Sequence, residues 1–505
     1  MRIKNTIKNS SVAVIVSSIN LISNFIDRKF FIFFLGISYL GLNGVFKNIL
    51  SVLSIIELNI GSAIAFSLYL PIFKNENSKV AAYINYFKKL YNYIALVIFI
   101  LSVGISFKIT YFFKDSIFDL KTMQLFFILY ALSTVCGYLF AHKRTLLYAM
   151  QKNYIVMLFD CTTSIISCLL HFVVLFYFKS YALYLLVTIA CQILSNVGIF
   201  IFSKDITKKY SNRNQKLSKS DKKGLFNDLK YMIVTNVVGV GVLSSDNLII
   251  AKIIGSVCVG LYSNYELITN MLKSYITIFL NSVGASFGDL LAEGNRAKIN
   301  NIYNIYQFCY FIVSCYVSIA FFYISKQFIP VFFGNNLLID DRITFVISIN
   351  LYLYLIQQPI WQLQNLGKLF KECYLIGVIQ LIINITVSIV LGKLYGLIGV
   401  MIGTTLCYIF SWIFYSRIVV EKILNKKYRT FFIKRVKEIF IFLFEFLCTF
   451  ILLTSIHFLS DNIVSLFITT AIIPNLMNYL LFSKSKEVTY LLNILDIKNR
   501  IKKIL

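Results

Sequence analysis

Apolar residues along this chain gather in long unbroken runs separated by short basic segments, with neither the alternation of a strand nor the single stripe of an amphipathic helix. Fourteen runs stand out, at approximately 11–35, 42–70, 81–107, 122–148, 154–178, 181–203, 227–251, 258–288, 302–325, 343–366, 373–392, 396–416, 438–460 and 463–483. Crossing about 30 Å of hydrocarbon takes roughly 20 helical residues, because every backbone amide must find its partner inside the segment. The pattern predicts an all-α polytopic membrane protein of about 14 transmembrane helices, with twelve to fourteen as the range. Three runs are interrupted. Lys88 and Lys89 lie in the third, His142, Lys143 and Arg144 sit near the end of the fourth, and Pro474 is expected to break the last. The opening residues carry no small-residue cleavage site after their apolar stretch and read as a retained first helix.

Composition agrees: 58% of the 505 residues are apolar and 14% charged, against about 45–50% and about 25% in an average soluble domain. The formal charge of +27 could suit nucleic acid, but the basic residues sort by side of the membrane. With the N-terminus in the cytoplasm, those in cytoplasmic segments outnumber those in outer loops by about five to one. That bias puts both termini in the cytoplasm, removes nucleic acid as a partner and leaves attraction to anionic membrane lipids as a secondary effect. The ten Cys lie in apolar runs without a CxxC pair and the three His are scattered, so no metal, cofactor or redox site is expected. No GxxxxGK[ST] loop is present, so the chain is not fuelled by ATP on its own.

Two stretches 219 positions apart share a pattern: Asp27-x8-Gly36-x4-Gly41-Leu42 and Asp246-x8-Gly255-x4-Gly260-Leu261. Each Asp lies nine residues before a Gly at a helix's outer end, which at about 1.5 Å per residue puts it near the bilayer midplane. The repeat predicts two parallel six-helix bundles with pseudo-two-fold symmetry around a central cavity, plus two extra C-terminal helices. The expected organisation is an N-terminal bundle over 1–203, a basic cytoplasmic linker over 204–226, a C-terminal bundle over 227–416, a second basic linker over 417–437, two further helices over 438–483 and a basic tail over 484–505.

The four helices named by the repeat also carry polar stripes at three- and four-residue spacing. They hold Asn20, Asn24, Asp27 and Arg28; Asn43, Lys47, Ser51 and Glu57; Asn236, Asp246 and Asn247; and Glu266, Asn270, Lys273 and Thr277. A charge at a helix centre costs about 2.5–3.5 kcal/mol on insertion scales, so these groups should face one another or water. They serve either as inter-helix ion pairs or as the lining of a water-filled, net basic cavity for an anionic substrate. Asp160 and His171 on the fifth run and Glu445 on the thirteenth read as locally paired.

Three segments carry a family resemblance: Arg28-Lys29-Phe30-Phe31-Ile32-Phe33-Phe34-Leu35-Gly36 with Tyr39-Leu40-Gly41-Leu42-Asn43-Gly44-Val45-Phe46 and Glu57; Asp246-Asn247 with Gly260-Leu261-Tyr262-Ser263-Asn264-Tyr265; and Asn384-x3-Ser388-x2-Leu391 with Gly396-Leu397-x-Gly399-Val400-x2-Gly403-Thr404. They resemble bacterial polysaccharide repeat-unit flippases of the multidrug/oligosaccharidyl-lipid/polysaccharide exporter superfamily. Some relatives have an Arg before the Gly-Leu-Phe-Lys stretch, where this chain reads Gln364-Asn365-Leu366-Gly367-Lys368-Leu369-Phe370-Lys371.

The resemblance implies a non-enzymatic transporter of the bacterial inner membrane. Its cargo would be an undecaprenyl-pyrophosphate-linked oligosaccharide for capsule, O-antigen or a related polymer, moved outward by alternating access in association with polysaccharide polymerase machinery. In that setting Arg28, Lys47 and Lys273 would bind pyrophosphate. Asp27, Glu57, Asp246 and Glu266 would read an H+ or Na+ gradient or pair within the cavity. Asn20, Asn24, Asn43, Ser51, Asn236, Asn247, Asn270 and Thr277 would replace water around the sugars. Two rivals share parts of this pattern: a cation-coupled multidrug antiporter of the same superfamily, whose cavity should lean acidic, and a membrane polymerase or ligase, which usually needs a larger outer loop than the one near Lys326–Arg342.

Overall fold

The computed structural model describes residues 2–54, 67–114, 117–210, 217–218, 237–293, 295–455 and 463–494. Nearly all of them are helical: α1 (Arg2–Leu35), α2 (Ile37–Leu53), α3 (Asn77–Ser106), α4 (Leu120–Tyr138), α5 (Ala141–Ala149), α6 (Asn153–Phe178), α7 (Tyr181–Thr207), α8 (237–253), α9 (Ser256–Glu293), α10 (Arg296–Phe333), α11 (Asp341–Ile356), α12 (Gln358–Leu366), α13 (Phe370–Tyr395), α14 (Leu397–Val419), α15 (Tyr428–Ser455), α16 (Ile463–Phe482) and α17 (Lys486–Ile494). Each of the fourteen apolar runs carries helix. Among the described residues, nine spans are long and apolar enough to cross a membrane.

By spatial contact the chain divides into two compact units, Met1–Leu261 and Tyr262–Leu505, with the boundary inside α9. The bundles expected over 1–203 and 227–416 follow the helix count, whereas this division assigns α8 to the first unit. In that unit α1 packs on α6, α6 on α7, α7 on α4, and the short α5 wedges against α3, α6 and α7. In the second unit α10 packs on α11 and α16, α11 on α14, and α13 runs against α14 along its length. Leu169, Phe176, Phe178 and Ile201 point outward from the first unit, as lipid-facing side chains must.

The interruptions behave differently from one another. Lys88 and Lys89 do not disturb α3, which is continuous. The fourth run does break: Leu139 is extended and Phe140 takes a left-handed conformation, φ 63°, before the chain re-enters helix as α5. The tenth run is divided at Gln357, just ahead of Pro359, into α11 and α12. Pro474, in contrast, does not break the last run, because α16 passes through it unbroken. A proline is tolerated in a membrane helix when neighbouring groups satisfy the carbonyls it disturbs, and one residue on from Pro474 the Asn475 side chain donates to the Ala471 carbonyl at 2.6 Å.

The repeat has a structural meaning at its glycines. Gly36 and Gly255 both have positive φ, 87° and 137°, and each makes the turn that joins one helix directly to the next. Gly41 and Gly260, five residues further on, meet each other where α2 crosses the start of α9. A Cβ on Gly41 would come within 1.9 Å of the Ser256 carbonyl oxygen, and one on Gly260 within 2.6 Å of the Ile37 carbonyl oxygen. Contact between equivalent positions is what a two-fold relation between the copies produces. The third family segment is a second such joint. Gly396 turns α13 into α14, Asn384 Nδ2 donates to Thr404 Oγ1, and a Cβ on Gly403 would strike Ser388 Oγ at 2.3 Å.

Small residues that let helix backbones touch are difficult to enlarge, because a packed crossing cannot absorb a methyl group without moving. Gly41→Ala and Gly403→Ala are expected to destabilise the protein by about 1–3 kcal/mol. Gly104→Ala in α3, where nothing lies within 4 Å of the added Cβ, is expected to leave stability unchanged or raise it. Thermal unfolding in detergent, followed with a thiol-reactive dye on the ten free cysteines, separates the two outcomes.

Candidate functional site

The first unit encloses a cavity of about 420 Å³ between α1, α2, α4, α5, α6 and α7. Its lining is polar to a degree unusual inside a membrane protein. Two stripes supply most of it: Asp160, Thr163, Ser164, Ser167 and His171 on α6, and Tyr184, Thr188 and Gln192 on α7, each at helical spacing that turns one face inward. α1 adds Ser23, Asn24 and Asp27, α2 adds Asn43, α4 adds Tyr130 and Ser133, and α5 adds Arg144.

Two charged networks share this space. In the first, Asp27 accepts on both oxygens: His171 Nδ1 lies 2.9 Å from Oδ1, and the Tyr184 hydroxyl donates to Oδ2 at 2.7 Å. Nε2 sits 3.1 Å from Thr188 Oγ1 and 3.4 Å from Ser167 Oγ, so both ring nitrogens have polar partners. The imidazole is stacked on Tyr184 at 3.7 Å between ring centres and is buried.

In the second network Arg144 grips Asp160 with both terminal nitrogens, at 2.7 and 2.9 Å, while Nη2 reaches Ser195 Oγ and Nε reaches Asn196 Oδ1, each at 2.9 Å. Ser195 donates onward to Asp160 and Asn196 donates to the Cys136 carbonyl near the end of α4. The break at Leu139 and Phe140 is therefore useful: it turns α5 so that Arg144 meets α6 and α7. With Asp27 and Asp160 set against Arg144 and the imidazole of His171, the cavity holds no excess positive charge. It suits a proton or small cation and disfavours a pyrophosphate.

Of the residues singled out from the sequence, the structure brings Asn24, Asp27 and Asn43 into this cavity, with Asn43 Oδ1 accepting from the Tyr181 hydroxyl at 2.9 Å. Asn20, Arg28, Lys47 and Ser51 lie outside the lining; Arg28 is half-buried, Lys47 is exposed and Ser51 donates back to the Lys47 carbonyl. Asp246 and Asn247 are buried in α8. In the second unit Glu266 is half-buried, Asn270 is exposed, and Lys273 holds its ammonium 4.6 Å from the centre of the Tyr354 ring and accepts from Thr277 on its backbone carbonyl. Glu57 and Asn236 lie outside the described residues. The local pairing expected of Asp160 and His171 is present. That expected of Glu445 is absent, for both its carboxylate oxygens are buried without a hydrogen bond. Arg144, Tyr184 and Thr188 were not anticipated, although the α6 and α7 stripes show the same spacing used to choose the other four helices.

No protein-family model matches the sequence, and no curated protein matches it significantly. Solved structures do match. A lipid II flippase in an inward closed conformation superposes with a TM-score of 0.68 at 15% identity, over 94% of this chain and 98% of that one. An inward-facing multidrug resistance transporter of the MATE family gives 0.62 at 12% identity, over 81% and 98%. A Vibrio cholerae MATE transporter gives 0.58 at 12% identity, over 83% and 99%. The chain has the fold of these membrane transporters. At such identity the likeness speaks for architecture, and the cargo must be argued from the residues.

Arg144 is predicted to be the chief tie between α5 and the α6–α7 pair. Arg144→Ala removes four charge-assisted hydrogen bonds and is expected to lower stability by about 2 kcal/mol or more. Arg144→Lys recovers only part of this, since an ammonium cannot fork onto a carboxylate. Thermal midpoints of the three proteins in detergent check the order wild type, Lys, Ala.

Proposed function

We propose that the protein is a flippase that carries undecaprenyl-pyrophosphate-linked oligosaccharide from the cytoplasmic to the outer leaflet of a bacterial inner membrane, for assembly of a surface polysaccharide. The observation that carries this reading is the extent of the fold match. The 6% of this chain left unmatched by the lipid II flippase is shorter than α15 and α16 together, so that match must draw on the C-terminal helix pair; the 19% left by the multidrug transporter is longer than the pair. The sequence segments that resemble polysaccharide repeat-unit flippases support the same choice.

In this reading the bundles expected over 1–203 and 227–416 work by alternating access, both termini are cytoplasmic, and the exported units pass to polymerase machinery. Arg28, Lys47 and Lys273 hold the pyrophosphate, while Asn20, Ser51, Asn236, Asn247, Asn270 and Thr277 line the route of the sugars. The polar cavity of the first unit is the coupling chamber. Asp27 and His171 bind a proton there, and Asn24 and Asn43 keep the chamber hydrated. Glu57, Asp246 and Glu266 are further groups for coupling or pairing.

The acidic balance of that chamber also favours a second reading, a cation-coupled multidrug antiporter. Depletion of the protein in its host decides between them. The flippase reading expects undecaprenyl-linked repeat units to accumulate on the cytoplasmic face; retention of cationic dyes with no such accumulation would hand the case to the antiporter. Asp27→Asn, expected at normal membrane abundance, should cut polymer export at least tenfold, which is about 1.4 kcal/mol of lost coupling. Alanine at Lys47 should lower export at normal abundance, and lost abundance would instead make that lysine a packing residue.

A further inference from the structure

The second unit holds a charge that neither the fold nor the coupling chamber uses. The inward face of α15 carries Phe431, Arg435, Glu438, Phe442, Glu445, Phe446, Thr449 and Leu453, at the three- and four-residue spacing of a buried stripe. Arg435 and Glu438 neutralise each other through a hydrogen bond of 2.6 Å, both almost fully buried. Glu445, two turns further into the membrane, is an uncompensated second carboxyl. It is 0% exposed, and among the described residues neither oxygen has a hydrogen-bond partner beyond the weak thiol of Cys315 set against it.

Among the described residues its surroundings offer no countercharge. α10 sets the Cys315 thiol against it, and α11 brings Tyr352 near, stacked at 4.0 Å on Phe442 of the same helix as Glu445. The Tyr352 hydroxyl is itself buried without a hydrogen bond among the described residues. On its own helix the cation, Arg435, is engaged by Glu438. An ionised carboxylate here would be a bare charge in a dry aromatic layer, the most unfavourable arrangement available to it. A single carboxyl among phenyl rings and a thiol also lacks the ring of oxygens that a metal cation requires in exchange for its water.

We propose that Glu445 is a proton-binding site built into the packing of the C-terminal helix pair, occupied in the conformation described, and that it releases the proton when α15 shifts against α10 and α11 and admits water. The buried, unpartnered carboxyl carries the first half of this statement. The second half rests on the transport reading above.

The test uses the full chain in lipid nanodiscs and proteoliposomes. Infrared spectra of the wild type at neutral pH should show the carbonyl stretch of a protonated, unhydrated carboxylic acid that is missing in Glu445→Gln. Glu445→Leu, which removes both oxygens and keeps the bulk, should raise the thermal midpoint. Glu445→Gln, permanently neutral, should fold normally and transport lipid-linked oligosaccharide at least tenfold more slowly. Absence of the band, or a lower midpoint for the Leu variant, overturns the proton site. A band together with wild-type transport by the Gln variant overturns proton release in the cycle. Wild-type protein that shows the band but moves no cargo overturns the flippase reading and leaves the proton site standing.

Discussion

The hydrocarbon interior of a bilayer supplies no water, so a charge placed there must be paired, neutralised by a proton or housed in a wet cavity. That constraint organises the polar half of this structure. Arg144 and Asp160 answer it as a forked pair supported by Ser195 and Asn196, and Arg435 and Glu438 as a compact pair one turn apart. Asp27 answers it with two partners, the Tyr184 hydroxyl and the imidazole of His171. Glu445 has no ionic partner among the described residues and faces only the Cys315 thiol, which is why we propose a bound proton there.

The same medium removes the hydrophobic force that drives helices together in water, so association must come from close backbone approach. The three joints at Gly36, Gly255 and Gly396 serve that end: each turns one helix directly into the next, with a small residue shortly beyond where the backbones meet. These joints coincide with the three segments that resemble polysaccharide flippases. The resemblance is therefore partly a record of how the helices touch, and it would persist through a change of cargo. The lining of the polar cavity is a better guide to coupling than those segments are.

Much of the fold was legible because the membrane enforces it: an apolar run long enough to cross must be helix, and each of the fourteen carries helix among the described residues. The breaks were only partly legible: the charges at His142, Lys143 and Arg144 marked the fourth run as interrupted, while the position of its turn was not readable. Nothing in the composition around Leu139 and Phe140 demands a turn, and the reason for it lies in Arg144 reaching partners more than fifty residues further along the chain. Pro474 suggested a break that the helix does not make. For the site, Asp27 could be chosen from its depth and its repeat, but its partner His171 lies 144 residues away, and a histidine alone on an apolar run gives no sign of what it meets. Glu445 could be noticed in the sequence, yet only the packing of α10, α11 and α15 shows that no cation among the described residues pairs with it.

The account stands on outward movement of a lipid-linked oligosaccharide by this chain alone. Purified protein in sealed liposomes, loaded with undecaprenyl-pyrophosphate oligosaccharide in both leaflets, can be probed with an added lectin that reads only the outer one. After the outer pool is consumed, the account predicts that the inner pool becomes accessible within minutes, and that an imposed proton gradient changes its rate in wild type and not in Asp27→Asn. An inner pool that stays protected in the wild type, under either polarity of the gradient, would contradict it.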